Sequence, residues 1–147
     1  MKGLGTALIT PFLENGEVDY QALSTLVEHQ ISGGTDYLVL LGTTSEVPTL
    51  THAEQDAIVA HVVKQVAGRI PLVMGIGGNS TRAVVERINS VKETLEKHFA
   101  AILSVTPYYN RPQQEGLYQH FCAIAEASPV PVILYNVPKR TGVNMLP

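Results

Sequence analysis

The sequence predicts an α/β protein with a parallel β-sheet, and two observations support this fold class. Five apolar runs recur along the chain with centres about 30 residues apart, and each is uninterrupted rather than alternating with polar residues, as in strands buried on both faces of a sheet. An amphipathic helical pattern lies between successive runs, and this alternation favours right-handed βαβ crossovers. The predicted strands are 5–10, 37–41, 71–76, 101–105 and 130–135.

Apolar residues at helical spacing predict one helix in each interval. The first ends at Gly33-Gly34, and the second begins at a capping box formed by Thr51 and Glu54 and runs to Gly68. The four apolar stripes are Leu23, Leu26, Val27 and Ile31; Ile58, Val62 and Val66; Val84, Ile88, Val91 and Leu95; and Leu117, Phe121, Ile124 and Ala125.

Composition excludes several classes of protein. The net charge is −3, from 10 Lys and Arg against 13 Asp and Glu, without the basic face that nucleic-acid binders usually carry. No apolar run approaches the ~18 residues that span a membrane, and residues 1–4 do not begin a signal peptide. The single cysteine, Cys122, excludes an intrachain disulfide and is predicted to be a small buried hydrophobe, while the five histidines lack metal-ligand spacing. We therefore expect a soluble, cytoplasmic protein with no metal, cofactor, membrane or nucleic-acid partner.

Two architectures fit five strand–helix units. A five-stranded doubly wound sheet would be complete at 147 residues, whereas a (β/α)₈ barrel needs about 250 and would be represented by five of its eight units. Periodicity does not separate them, and length alone favours the doubly wound sheet.

In both architectures function lies in the loops that follow the strands. The loops at 42–46, 106–112 and 136–142 are the chemically richest segments, and Arg140 supplies a cation suited to a carboxylate. Hydroxyl groups dominate at the strand ends and in these loops: Thr43, Thr44, Tyr108, Tyr109 and Tyr135. Simpler interpretations remain open: 42–46 as an ordinary turn, the paired tyrosines as packing residues, and Arg140 as a surface residue. Segment 75–80 matches the dinucleotide-binding fingerprint poorly.

Three segments in register resemble the dihydrodipicolinate synthase and N-acetylneuraminate lyase family of pyruvate-dependent class I aldolases. They are Gly-Thr-Thr-Ser-Glu at 42–46, Thr-Pro-Tyr-Tyr-Asn-Arg-Pro at 106–112 and Tyr-Asn-Val-Pro-Lys-Arg-Thr-Gly at 135–142. The resemblance runs along the whole chain from Gly5. It implies a (β/α)₈ barrel, in place of the doubly wound sheet, with residues 1–147 as the N-terminal part of one barrel domain.

The resemblance implies a role for each matching residue. The family's synthase condenses pyruvate, held as an imine on a lysine, with aspartate semialdehyde. Thr43 would be the relay hydroxyl, Tyr135 would transfer protons beside the imine, and Tyr109 would complete the relay from a neighbouring subunit. Thr44 would hold the pyruvate carboxylate and Arg140 that of the semialdehyde. Arg140 and Thr43 together favour the synthase over the family's sialic acid lyases, and the family implies a homo-oligomer, a tetramer built as a dimer of dimers.

The chain departs from the family pattern at three places. Ser45 replaces the usual glycine of the first motif, a change that a turn tolerates but that is able to alter the backbone geometry beside the pyruvate site. His52, Asn79 and Tyr108 match an allosteric lysine site, but Ala83 stands where a glutamate is expected, so we expect weak lysine inhibition.

The third departure concerns the imine-forming lysine, which the resemblance assigns to a sixth strand beyond Pro147; none of the five lysines present fills its role. Leu146-Pro147 is predicted to open a further helix. We therefore expect the N-terminal part of a synthase about twice this length, inactive on its own. The alternatives are a truncated, non-catalytic paralogue with a binding or scaffold role, and another pyruvate aldolase of the family such as a sugar-acid lyase.

Overall fold

A computed structural model describes residues 2–147, in which five strands alternate with helices. All five predicted strands are present, although the first is only three residues long. The strands are β1 (Gly5–Ala7), β2 (Tyr37–Leu40), β3 (Leu72–Gly75), β4 (Ala101–Val105) and β5 (Val132–Tyr135). The helices are α1 (Tyr20–Ser32), α2 (His52–Val66), α3 (Thr81–Ser90), α4 (Lys92–His98), α5 (Gln114–Ala127) and α6 (Pro138–Thr141), with 3₁₀ turns at Thr43–Ser45 and Val47–Thr49.

The strand order decides between the two architectures. The sheet runs β1-β2-β3-β4-β5, in chain order. Strands β1 and β2 pair in parallel with Gly5 opposite Tyr37, and β4 and β5 pair in parallel with Val105 opposite Tyr135. A doubly wound sheet reverses its strand order at a switch point, whereas the strands of a (β/α)₈ barrel follow one another around the sheet. The order therefore confirms the first five units of a barrel, and the preference that length gave to the doubly wound sheet is wrong.

The described residues form two compact units that divide within β3, between Val73 and Met74. In the first unit α1 packs on α2. Helix α1 begins at Asp19, whose carboxylate accepts a hydrogen bond from the Ala22 N–H at 2.9 Å. Helix α2 has the predicted capping box between Thr51 and Glu54, because each side chain bonds the other residue's backbone N–H.

In the second unit α3 packs on α5, and one helix prediction is wrong. The stripe predicted as a single helix breaks at Val91, where φ is −117° and ψ is 15°. The Ser90 hydroxyl donates to the Arg87 carbonyl at 2.8 Å, a local bond that competes with the helical ladder just before the break. Ile88 and Leu95 are nevertheless fully buried, so α3 and α4 still bury the predicted face.

One further difference occurs near residue 147. The short helix α6 lies in the segment predicted as a loop. Residues 143–147 are not helical, and the opening of a further helix at Leu146-Pro147 stays a prediction, because its hydrogen bonds would need residues after 147. Two side chains hold this segment: the Met145 N–H donates to the Asn136 side chain at 3.2 Å and the Leu146 N–H to Gln114 at 3.1 Å. Within residues 2–147, no helix combines the length and apolar character needed to cross a membrane.

Candidate functional site

The loop after β2 presents two threonines on a 3₁₀ turn. Thr43 and Thr44 are exposed, whereas Ser45 directly after them is buried. The Ser45 N–H donates to the Gly42 carbonyl at 3.0 Å and the Glu46 N–H to the Thr43 carbonyl at 3.2 Å. A turn of this kind leaves its first N–H groups without partners inside the turn, so Thr43 and Thr44 offer both hydroxyl and amide donors to a ligand.

The loop after β4 carries its tyrosines on a strained backbone. Tyr109 has φ of +72° and is 89% exposed, and Arg111 has φ of +46°. Non-glycine residues in the left-handed region cost about 1–3 kcal/mol each, and they persist where the surrounding structure fixes them. Tyr108 is also exposed, at 40%, so neither tyrosine is a core residue, and packing at an interface stays open for the pair.

Asn110 joins this loop to the loop after β3. Its side-chain amide donates to the Asn79 carbonyl at 2.9 Å, and its backbone N–H donates to the Tyr108 carbonyl at 2.9 Å. Two of the three residues matched to an allosteric site, Asn79 and Tyr108, are therefore brought together by a residue that sequence reasoning did not single out. The third, His52, is the exposed first residue of α2, in the first unit.

Tyr135 is the last residue of β5 and lies beside the start of the tyrosine loop. Its carbonyl accepts a hydrogen bond from the Thr106 N–H at 3.0 Å, which continues the pairing of β4 and β5. Tyr135 is half-buried. The second unit thus brings Tyr135 and the loop of Tyr108 and Tyr109 to the same end of two paired strands.

Arg140 is exposed on α6, and buried polar contacts fix the helix that carries it. The Thr141 side chain is buried, and its hydroxyl bonds the carbonyls of Val137 and Val143 at 3.2 and 3.0 Å. Pro138 at the first helical position and Gly142 just after the last one are a sequence signal for such a short helix, although this segment was predicted as a loop.

Side-chain amides hold the segment that follows α6. Asn136 donates to the Asn144 side chain at 2.9 Å and to the Met145 carbonyl at 3.3 Å, and Gln114 donates to the Asn144 carbonyl at 2.9 Å. Each amide also accepts a backbone N–H of the segment, so both imitate a neighbouring strand. Sequence patterns gave no signal for these contacts.

A second set of polar groups is buried in the second unit. His120 on α5 is buried and its Nδ1 lies 2.8 Å from the Thr81 hydroxyl; burial lowers the pKa of its imidazole. Its Nε2 and the hydroxyls of Ser104 and Thr106 have no hydrogen-bond partner among the described residues. His120 was predicted to lie at the surface or to have its ring nitrogens hydrogen-bonded. Only its Nδ1 is hydrogen-bonded, so the prediction is confirmed for one of the two nitrogens. Cys122 is half-buried rather than buried as predicted.

The described part of the chain contains no group of three or more His, Cys, Asp or Glu side chains that could hold a metal ion. The chemistry that these residues offer is that of hydroxyls, amides and a guanidinium. Such groups bind carboxylates and transfer protons.

Comparison with known proteins gives consistent matches along the chain. The model of the dihydrodipicolinate synthetase family matches residues 1–147. The 4-hydroxy-tetrahydrodipicolinate synthase of Parabacteroides distasonis is 59% identical over 145 residues, which cover 99% of this chain and 48% of that protein.

Solved structures also match along nearly the whole chain. The chloride-inhibited dihydrodipicolinate synthase from Acinetobacter baumannii, complexed with pyruvate, is 46% identical with a TM-score of 0.91, over 97% of this chain and 48% of that one. The enzyme from Cyanidioschyzon merolae with lysine bound is 41% identical with a TM-score of 0.88, over the same shares. The chain spans about half the length of the curated relatives it matches.

Proposed function

This chain belongs to the dihydrodipicolinate synthetase family, and we propose that its residues serve the condensation of pyruvate with aspartate semialdehyde to 4-hydroxy-tetrahydrodipicolinate. The observation that carries the proposal is the exposed Thr43–Thr44 pair on the 3₁₀ turn after β2, in the motif shared with this family. Carbanion chemistry on pyruvate requires a carboxylate site and a proton relay beside the reacting carbon. The side chains of this motif and of the two tyrosine-containing segments supply groups for both tasks.

Thr44 binds the pyruvate carboxylate in this proposal. Its hydroxyl and its backbone N–H, one of the two turn amides without a partner inside the turn, both donate to the carboxylate oxygens. Hydrogen bonds to an ionised acceptor are about twice as strong as neutral ones, so two donors on one residue suffice to orient a small anion.

Thr43, Tyr135 and Tyr109 form the proton relay. Tyr135 transfers the proton at the carbon that becomes nucleophilic, and Thr43 passes it between phenols. The 89% exposure and the left-handed backbone of Tyr109 support its insertion into a neighbouring subunit, where its phenol completes the relay. The protein would then be a homo-oligomer, with the tetramer arranged as a dimer of dimers.

Arg140 binds the carboxylate of the semialdehyde. A planar guanidinium pairs with a carboxylate through two parallel hydrogen bonds, and Arg140 is exposed on a helix whose end is fixed by Thr141. Because this carboxylate distinguishes the semialdehyde from the neutral sugar aldehydes, Arg140 favours the synthase reaction over that of a sugar-acid lyase.

The amine that forms the imine with pyruvate is none of the five lysines in this chain. Lysine nucleophiles of this type are activated by desolvation or by a neighbouring cation. All five are solvent-exposed: Lys2, Lys64, Lys92, Lys97 and Lys139. The residues described above therefore bind and orient the substrate, and the imine-forming amine comes from outside residues 1–147.

Two measurements on the 147-residue chain test the proposal. Addition of pyruvate should shift the amide NMR signals of Thr43 and Thr44, and Thr44→Val should abolish the shifts while Thr25→Val, at an exposed threonine of α1, should leave them unchanged. Borohydride added with pyruvate should leave the protein mass unchanged. Absence of shifts would overturn the pyruvate site and favour a non-catalytic role, and a covalent pyruvate adduct would overturn the exclusion of the five lysines.

A further inference from the structure

Two buried hydrogen bonds link Ser45, at the end of the exposed threonine turn, to Leu8 and to Thr10. The Ser45 hydroxyl donates to the Leu8 carbonyl at 2.7 Å, and the Thr10 hydroxyl donates to the Ser45 carbonyl at 2.9 Å. Both side chains are almost fully buried, with Ser45 2% and Thr10 5% exposed. Two residues distant in the sequence thus tie the turn after β2 to the chain that leaves β1.

The turn needs such an anchor because its flanking backbone is strained. Leu41 and Glu46 stand on either side of it with φ of +53° and +56°, and neither is a glycine. Left-handed backbone at ordinary residues persists only when surrounding contacts fix it. Inside the turn, only the Ser45 and Glu46 amides are used, at 3.0 and 3.2 Å, so the turn's own hydrogen bonds are few.

The Leu8 carbonyl explains why the anchor involves a serine. Leu8 is buried at 3% exposure, and its own N–H is already paired with the Val39 carbonyl at 3.0 Å. The Ser45 hydroxyl satisfies the buried Leu8 carbonyl, which a glycine at this position would not do. A buried carbonyl without a donor is costly, so the serine adds a stabilising hydrogen bond that the usual glycine of the motif lacks.

We propose that Ser45, together with Thr10, is a positioning residue that fixes the Thr43–Thr44 turn in the conformation that binds a carboxylate. Ser45 itself contacts no ligand, because its hydroxyl is turned into the protein toward Leu8. This positioning role of Ser45 and Thr10 rests on the proposed function of Thr44. A fixed conformation of the turn matters for function only if its exposed donors bind an anion.

The test compares Ser45→Ala and Thr10→Val with the conservative Thr10→Ser. Loss of either buried hydrogen bond should accelerate amide exchange at Ser45 and Glu46 and weaken pyruvate binding, each by about three- to tenfold. Exchange at Val62, in the buried face of α2, should stay unchanged, which separates local loosening from general loss of stability. Thr10→Ser should restore both values, because it keeps the hydroxyl.

The two proposals fail in different ways. A wild-type chain with no pyruvate-dependent shifts overturns the pyruvate site, and the exchange measurement still decides whether Ser45 and Thr10 hold the turn. Unchanged exchange at Ser45 and Glu46 in both variants overturns the positioning role. So does pyruvate affinity that is equal in wild type, Ser45→Ala and Thr10→Val. Thr10→Val leaves the side chains of the turn intact. If Ser45→Ala does not fold, the exchange rates and pyruvate affinity of Thr10→Val decide the test.

Discussion

The guanidinium of Arg111 lies so close to Gly142 that it would crowd the Cβ of any other residue there. An ideal Cβ at Gly142 would be 2.7 Å from Arg111 Nε and 3.3 Å from its Cζ, and Gly142 has φ of +72°. Gly142 ends helix α6, which carries Arg140. The tyrosine-containing loop and the arginine-containing helix are therefore in direct contact through a position that accepts only glycine without strain.

Gly142→Ala should lower the free energy of unfolding by about 1–2 kcal/mol, the cost of a left-handed L-residue. It should also displace the Arg111 side chain, which is flexible enough to move away. The measurements are thermal unfolding and the NMR signals of Arg111 and Arg140. Gly34→Ala is the matched control, because Gly34 has φ of +85° with open space around it. If Gly142→Ala leaves the Arg111 signals as unperturbed as Gly34→Ala does, the contact is not maintained in solution.

The ion pair of Glu28 and Arg69 should make a pH-dependent contribution to the free energy of unfolding. Hydrogen bonds from Arg69 and then Gln65 lower the pKa of the Glu28 carboxyl from 4.5 to about 2. Because the folded-state pKa is lowered, this contribution is complete above pH 4.5 and is lost as the pH falls toward 2. Both side chains are nearly half exposed, so the effect is small and is reduced further by salt.

Denaturant unfolding of wild type and Glu28→Gln between pH 7 and about pH 2.5 measures this contribution. The stability advantage of wild type over Glu28→Gln should shrink below pH 4.5. Glu96→Gln, at an exposed glutamate of α4, serves as the control and should show no such convergence. Parallel pH curves for wild type and Glu28→Gln would contradict the prediction.

Much of the fold can be predicted from sequence because its determinants are local. The buried strands appear as unbroken apolar runs, and the start of α2 is given by Thr51 and Glu54 alone. The break at Val91 is missed because apolar spacing continues through it. The left-handed backbone of Tyr109 occurs without a glycine that would indicate it. The hydrogen bond of Ser45 to Leu8 joins distant segments, a contact that no local pattern contains. The site's residue types can therefore be read from the sequence, but the contacts that hold them cannot.

Ala83→Glu should strengthen lysine binding by the second unit, where Asn79 and Tyr108 match residues of the family's lysine site. Ala83 occupies the third position of α3, and its N–H donates to the Ser80 hydroxyl at 3.4 Å. A glutamate there completes a capping box and also adds a carboxylate for the lysine ammonium. We expect roughly tenfold tighter lysine binding by calorimetry and a gain in stability of about 0.5–1 kcal/mol.

Ala83→Gln separates the two effects, because glutamine completes the capping box without a charge. It should reproduce the gain in stability but not the gain in affinity. Equal lysine affinity in the glutamate and glutamine variants would remove position 83 from the lysine site.

The hydrogen bonds between the Asn136 side chain and the Met145 backbone should hold the segment after α6. The Asn136 side chain both accepts from the Met145 N–H at 3.2 Å and donates to its carbonyl at 3.3 Å, as a paired strand would. Asn136→Ala removes both of these bonds and the bond to the Asn144 side chain, whereas Asn136→Asp keeps the acceptor and loses the donor. Amide exchange at Met145 should therefore accelerate about tenfold in Asn136→Ala, and less in Asn136→Asp. Exchange at Leu146, whose N–H bonds Gln114, should rise less than at Met145 in either variant, because that bond remains. Equal acceleration at Met145 and Leu146 in Asn136→Ala would instead mean that the segment is released as one unit and that Gln114 does not hold it independently.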